Sequence, residues 1–413
     1  MYGSRRDLRH NLFLFFFDGV LFMPAMTLIS VSAVIPFYLN RLGASTFQIA
    51  LAASLATVCN FAGQPVFGYL ATKSLVLHRS FGSILLTQRL IFLAFVLSIP
   101  LFSGSAFPVW IFLFFWSVFC FFTGCYNVYY TPLVIKLLPP DKRGFIRGMG
   151  NAAGSGLGLG AAALIPVILS RVFFPYNFML IFLLGILLLI ADAFVFLLMR
   201  QHENFSTNVS MNVIQYLKEI PAAVKNNRPF RSLILTCMFL VAANSMLPYY
   251  TLYAIRVFAA AESQIALLAA LAVISNIAGY IVTGRAVDRF GPRIISKLAA
   301  VTIIAAGGLA LFTGSLPFLF AAWILANLGN TGFNQIISLL LGEVCPPLKL
   351  PLFVGVYTTI SLALSSAVLL LIAPVLESSG FKLVFSVVTV CGILSLLINM
   401  FVLRNLSHNP DSL

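Results

Sequence analysis

Asp18, Arg89 and Asp192 are the residues of this chain placed where charge is costly. The sequence carries 25 Lys and Arg and 11 Asp and Glu, and only these three lie well inside its long apolar runs. Each is some 9–12 Å from one end of its run at about 1.5 Å per helical residue. An unpaired charge at such depth in lipid costs at least ~2.5–3.5 kcal/mol. Two acids and one base at equal depth therefore predict a buried cluster. Two readings stay open. Arg89 can pin Asp18 and Asp192 permanently and stiffen the fold. Alternatively, Asp18 takes up and releases a proton as its contact with Arg89 forms and breaks, because burial and a nearby cation push an acid in opposite directions.

Neutral polar side chains form a second set. Asn327, Asn330 and Asn334 fall at i, i+3 and i+7, one face of a helix. Thr123, Tyr126, Asn127 and Tyr130 gather on another run, and Asn244, Tyr249 and Tyr250 on a third. Such groups either line a solute cavity or hydrogen-bond from helix to helix in lipid. The four histidines (His10, His78, His202, His408) fall outside the runs, and the six cysteines lack zinc-ligand spacing. No metal, cofactor or disulfide framework is expected. The sequence offers no Ser-His-Asp set or other catalytic cluster, so the expectation is that it is not an enzyme.

The elements holding these residues must be membrane helices. With 61% hydrophobic and 9% charged residues, the chain has too little charge to cover a soluble domain. Twelve apolar runs are long enough to span, near 12–39, 46–71, 81–102, 108–137, 145–170, 176–199, 231–257, 264–287, 297–314, 318–342, 352–376 and 381–403. A cytoplasmic N-terminus puts twenty Lys and Arg at the inner face and only Arg41, Arg171, Arg256 and Lys382 outside. The net charge of +14 thus reads as topology, with both termini cytoplasmic, and not as a nucleic-acid footprint. Asp18 interrupts the first run, which is also too long for a cleaved signal.

The chain also repeats. Gln48–Gly68 returns 216 residues later as Gln264–Gly284 with twelve of 21 positions identical, and Pro139-Pro140 and Gly148 return as Pro346-Pro347 and Gly355 at an offset of 207. The expected fold class is an all-α membrane protein, twelve helices in two pseudo-symmetric six-helix bundles, with a binding site where they meet. The expected organisation is bundle 1–199, a cytoplasmic linker 200–230 with an amphipathic stretch at 213–224, and bundle 231–413. Gly148, Gly150, Gly154, Gly156, Gly158 and Gly160 lack the lysine and strand of a phosphate loop. They predict close helix packing and sliding between the halves.

After the eighth run the chain reads Gly284-Arg-Ala-Val-Asp288-Arg289-Phe-Gly291-Pro-Arg293. This resembles the signature of the major facilitator superfamily, and Asp141-Lys142-Arg143-Gly144 resembles that family's loop between spans four and five. The resemblance implies secondary transport by rocking of two bundles. It makes Gly284, Asp288, Arg289, Gly291 and Arg293 a gating latch with span eleven as partner, Arg289 and Arg293 pairing with Asp288 or with lipid phosphates. In the first half Thr72 stands where the acid belongs, so the latch should be asymmetric.

The family's architecture makes spans one, four, seven and ten the cavity wall. Tyr126, Tyr130, Asn127, Asn244, Tyr249, Asn330 and Asn334 are then substrate-binding candidates, Asp18 the proton-coupling candidate, and Arg89 and Asp192 a structural ion cluster. Asn60 and Asn276 are expected to bond between the halves. The expected function is secondary active transport of a small neutral, weakly cationic or amphipathic solute, with protons and membrane lipids as partners, by a monomer in the inner (plasma) membrane. A drug/proton antiporter is the alternative, weakened because Gly156–Ala163 lacks that group's Gly-Pro pair. A membrane-embedded sensor or lipid-modifying factor is the other.

Overall fold

The computed structural model describes residues 5–31, 34–102, 107–201, 224–225, 227–260, 262–346 and 350–405. These residues form helices and connecting turns, with no strand among them. Eleven helices are long and apolar enough to cross a membrane, and Leu350–Ser365 is a shorter apolar stretch. Side chains such as Phe312 and Leu101 stand 86% and 80% exposed, a surface suited to lipid. The amphipathic stretch expected at 213–224 lies outside the described residues except for Val224.

The chain divides into two compact units. The first comprises residues 1–139 and 149–213, the second 140–148 and 214–413. The division does not follow the chain at one place. Nine residues of the first sequence half, Pro140–Gly148, belong to the second unit.

In the first unit, α8 (Tyr176–Leu197) packs on both α1 (Arg5–Leu28) and α4 (Leu77–Phe102), and α5 (Pro108–Thr123) packs on both α3 (Thr46–Lys73) and α4. The short α2 (Val34–Arg41) continues the path of α1 after a break. Its Tyr38 enters an aromatic core with Phe92, Phe112, Trp116, Phe178 and Phe182. Ser45 caps α3 by accepting from the Gln48 N–H, and the Gln48 side chain returns to the Ser45 N–H. That box satisfies two donors the helix would leave open, and it gives Gln48, the first residue of the repeat, a structural task.

The long α7 (Arg143–Arg171) brings its glycines against α1. A Cβ on Gly154 would strike the Gly19 carbonyl, and one on Gly150 the Phe16 carbonyl. The backbones can approach this closely only because side chains are absent there. The expected sliding seam is thus in part an internal joint: Gly150, Gly154 and Gly158 pack within the first unit. Gly156 and Gly160 meet nothing.

The second unit holds α9 (Arg228–Ser245), α10 (Pro248–Phe258), α11 (Glu262–Phe290), α12 (Pro292–Phe312), α13 (Leu316–Val344) and α14 (Leu350–Asn405), which bends at Gly380. Its core uses small residues, Ala306, Ala310, Ala322 and Ala326, around Tyr250 and Phe385. Gly291 holds φ at +79°, a value glycine adopts without penalty, and Pro292 opens α12 from it.

The units repeat in structure as in sequence. Trp116 donates its indole N–H to the Ala52 carbonyl at 2.9 Å, and Trp323 donates to Leu268 at 2.8 Å. Ala52 and Leu268 are 216 apart. The tryptophans are 207 apart. The break after Leu28 and the break after Ser245 are 217 apart, so each unit opens with an interrupted helix.

Candidate functional site

The predicted charged cluster forms in the first unit. Arg89 of α4 is 2% exposed and Asp192 of α8 fully buried, and their Nη2 and Oδ2 atoms are 2.7 Å apart. The other Arg89 amino group donates to the Leu189 carbonyl, one turn before Asp192 on the same helix. Asp18 of α1, also 2% exposed, accepts at Oδ1 from the Tyr126 hydroxyl at 3.0 Å. Its carboxyl group also lies within hydrogen-bonding reach of Asp192 and of the Tyr130 hydroxyl. Tyr126 and Tyr130 belong to α6 (Cys125–Leu137) and stack at 5.0 Å, with Phe22 of α1 on the far side of Tyr126. All three charges thus come together, and Arg89 spends its direct ion pair on Asp192 and not on Asp18.

The sequence spacing explains this convergence. Tyr126 and Tyr130 are four apart and share a helix face. Gly124 ends α5 and begins α6, and a Cβ there would strike the Asn60 carbonyl. α6 stays packed on α3 while Tyr126 reaches Asp18 and Tyr130 reaches Phe15 on α1.

The neutral polar residues separate. Asn127 and Asn334, matched by the 207 offset, are both exposed. Asn334 donates from Nδ2 to the Asn330 Oδ1 at 3.0 Å. Asn327, by contrast, is buried and donates to the Trp323 carbonyl one turn back. Tyr249 is 8% exposed. Asn244 ends α9 with its Nδ2 buried and unbonded. Asn60 and Asn276 stay inside their own units: Asn60 accepts from Gln64, and Asn276 accepts from the Thr331 hydroxyl at 2.6 Å.

The signature residues act in the second unit, and their partner differs from the expected one. The Asp288 carboxylate accepts the Gly144 and Phe145 amide N–H groups, each at 2.7 Å. These are free donors of the first turn of α7, where the helix dipole is positive. The partner is therefore span five, not span eleven. Gly284 makes room, for a Cβ on it would meet the Gly144 carbonyl. Arg293 pairs with Glu343 at 3.1 Å, and Arg289 lies 5.2 Å from the Phe290 ring centroid.

Sequence reasoning missed the rest of this joint. Arg147 donates to the Ser338 hydroxyl at 2.6 Å and to the Gln335 carbonyl at 3.3 Å. The Gln335 amide donates to the Gly144 carbonyl at 2.9 Å. Arg147 had counted only as one more inner-face cation. Its burial, 9% exposed, has no signal in the sequence beyond its place three residues into a span. At the end of the first unit, Arg200 is held by Asp7 at 2.8 Å and by paired bonds with Asn11.

The sequence model of the Major Facilitator Superfamily matches residues 232–412. No curated protein matches the sequence. Among solved structures, the E. coli fucose:proton symporter FucP matches with a TM-score of 0.75 at 17% identity, over 94% of this chain and 98% of that one. The proton:xylose symporter XylE, bound to 6-bromo-6-deoxy-D-glucose, matches with a TM-score of 0.71 at 12% identity, over 97% and 96%. A bacterial homologue of the iron transporter ferroportin gives 0.72 at 16%, over 94% and 98%. Residues 232–412 of this multi-pass membrane protein are thus similar to the major facilitator superfamily in sequence, and nearly the whole chain shares the fold of these solved transporters.

Proposed function

We propose that the chain is a secondary active transporter that moves a small, neutral, polar organic solute by alternating access, driven by protons through Asp18. The observation that carries the reading is the Tyr126–Asp18 hydrogen bond. It joins a buried acid to the helix that also exposes Asn127, so a change at Asp18 is felt one residue from a solute-facing amide. Two of the similar structures are the fucose:proton symporter FucP and the proton:xylose symporter XylE, which favours a polyhydroxylated solute for this chain too. Tyrosine faces and paired amides such as Asn330–Asn334 suit such a molecule, since they offer both donors and acceptors beside apolar rings.

The test is uptake into proteoliposomes of a panel of labelled sugars and polyols, with and without an inward proton gradient. One or more solutes should accumulate only with the gradient. Asp18→Asn should abolish accumulation yet leave solute exchange without a gradient intact. Gradient-driven uptake that survives Asp18→Asn would overturn the role given to that residue.

A further inference from the structure

We infer that Asp18 and Asp192 act as one proton-binding unit, sharing a single proton, with Arg89 as the residue that limits the pair to one. The proposal rests on the proton-coupled reading above for its purpose, but the pair itself is a property of the protein without any solute.

The argument is a count of donors and acceptors. Asp192 presents two buried oxygens. Oδ2 takes the Arg89 guanidinium, while Oδ1 is buried with no hydrogen-bond donor. An acceptor stranded in this way is destabilising, and more so when it carries charge. The Asp18 carboxyl group lies within bonding reach of Asp192. Two ionised carboxylates in contact have no donor to share, and they repel. A proton on Asp18 turns that contact into an O–H···O bond to Asp192 and gives Oδ1 its partner. The Tyr126 hydroxyl continues to donate to Asp18 Oδ1.

Charge gives the same answer. Asp18, Asp192 and Arg89 carry net −1 when both acids are ionised and zero when one proton is bound. At exposures of 2% and below, the neutral set is the one a low-dielectric interior favours. Among the described residues, no other charged side chain acts on the two acids. On α6, Tyr126 and Tyr130 face Asp18, and Cys125 lies near Arg89. On α7, the nearest polar group to this part of α1 is the neutral amide of Asn151. From α4 and α8 come only Arg89 and Asp192.

Geometry then links the proton to movement. Arg89 bonds both Asp192 and the Leu189 carbonyl, which makes α4 and α8 one rigid pair. Asp18 rides on α1. Loss of the proton sets Asp18 against Asp192 and pushes α1 away from that pair. Asp192, which the sequence places in a structural role, is thereby half of the proton site, and Arg89 is its positioning residue.

The experiment is infrared difference spectroscopy on the reconstituted protein, with no solute present, following the carbonyl stretch of a protonated carboxyl group through a pH titration. Wild type should show one protonated carboxyl per molecule. Asp18→Asn, which leaves the Arg89–Asp192 pair intact, should remove that signal, and so should Asp192→Asn. If Asp192→Asn does not fold, because it strands the Arg89 charge, the Arg89→Gln/Asp192→Asn double variant leaves Asp18 buried with no cation beside it and should keep one protonated carboxyl per molecule. Arg89→Gln alone should raise the signal to two per molecule. A signal that persists in either single aspartate variant means one acid binds alone and overturns the pair, and so does a double variant without a signal. A missing wild-type signal overturns it too. Because no solute is involved, failure of the uptake experiment and failure of the pair are separate results.

Discussion

Asn327 and Asn334 show how far residue spacing reaches. Their positions on one helical face were legible, because i, i+3 and i+7 fall within a narrow arc. What surrounds each level of that face was not. Trp323 bonds across to Leu268 and its carbonyl takes the Asn327 amide, so that end of the face is covered. Asn334, seven residues on, stands exposed with Asn330. The two asparagines should therefore fail differently. If Asn334 binds the solute as proposed, Asn334→Ala removes one bond to it, worth about 1 kcal/mol, and should weaken solute binding about fivefold with little change in thermal unfolding. Asn327→Ala should lower the unfolding temperature and leave affinity within about twofold, an order of magnitude set by the same bond. Titration of solute binding beside a melting curve checks both; matching affinity losses would remove Asn334 from the site.

At the scale of elements, the missing acid of the first half was legible and its consequence is visible. Thr72 turns its hydroxyl to the Tyr69 carbonyl of its own helix at 2.7 Å, while Asp288 reaches a second helix and takes two amide donors. The identity of that helix was not legible. A free helix start looks alike in any span, and only packing decides which one an acid meets. Asn in place of Asp288 keeps one acceptor oxygen and loses the charge. One charge-assisted bond of about 1.5–3 kcal/mol should go, shifting the balance of inward and outward states by about 10–100-fold. Thr72→Ala should shift it less than about twofold, since its hydroxyl donates to a carbonyl of its own helix. Spin-label distances at the cytoplasmic helix ends measure both, and equal shifts would count against an asymmetric latch.

For the molecule as a whole, the duplication was plain in the residues of Gln48–Gly68, yet its most telling contact was hidden. Trp116 and Trp323 match at an offset of 207 while their acceptors match at 216, so no single alignment register displays the shared bond. The exchange of Pro140–Gly148 into the second unit was equally hidden, because it depends on Asp288, Gln335 and Ser338, which lie between 140 and 200 residues away in sequence. It has a consequence for a chain cut in two. Each unit has its own core, so fragments 1–213 and 214–413 should each insert and fold when expressed together. The first fragment carries Pro140–Gly148 with it, and that segment completes the second unit through the Asp288, Arg147 and Gln335 bonds. The fragments should accordingly purify as a pair in mild detergent. With Asp288→Asn the recovered pair should fall about tenfold, the effect of roughly 1.4 kcal/mol. Recovery that is indifferent to Asp288 would mean that the first turn of α7 does not hold the cut chain together.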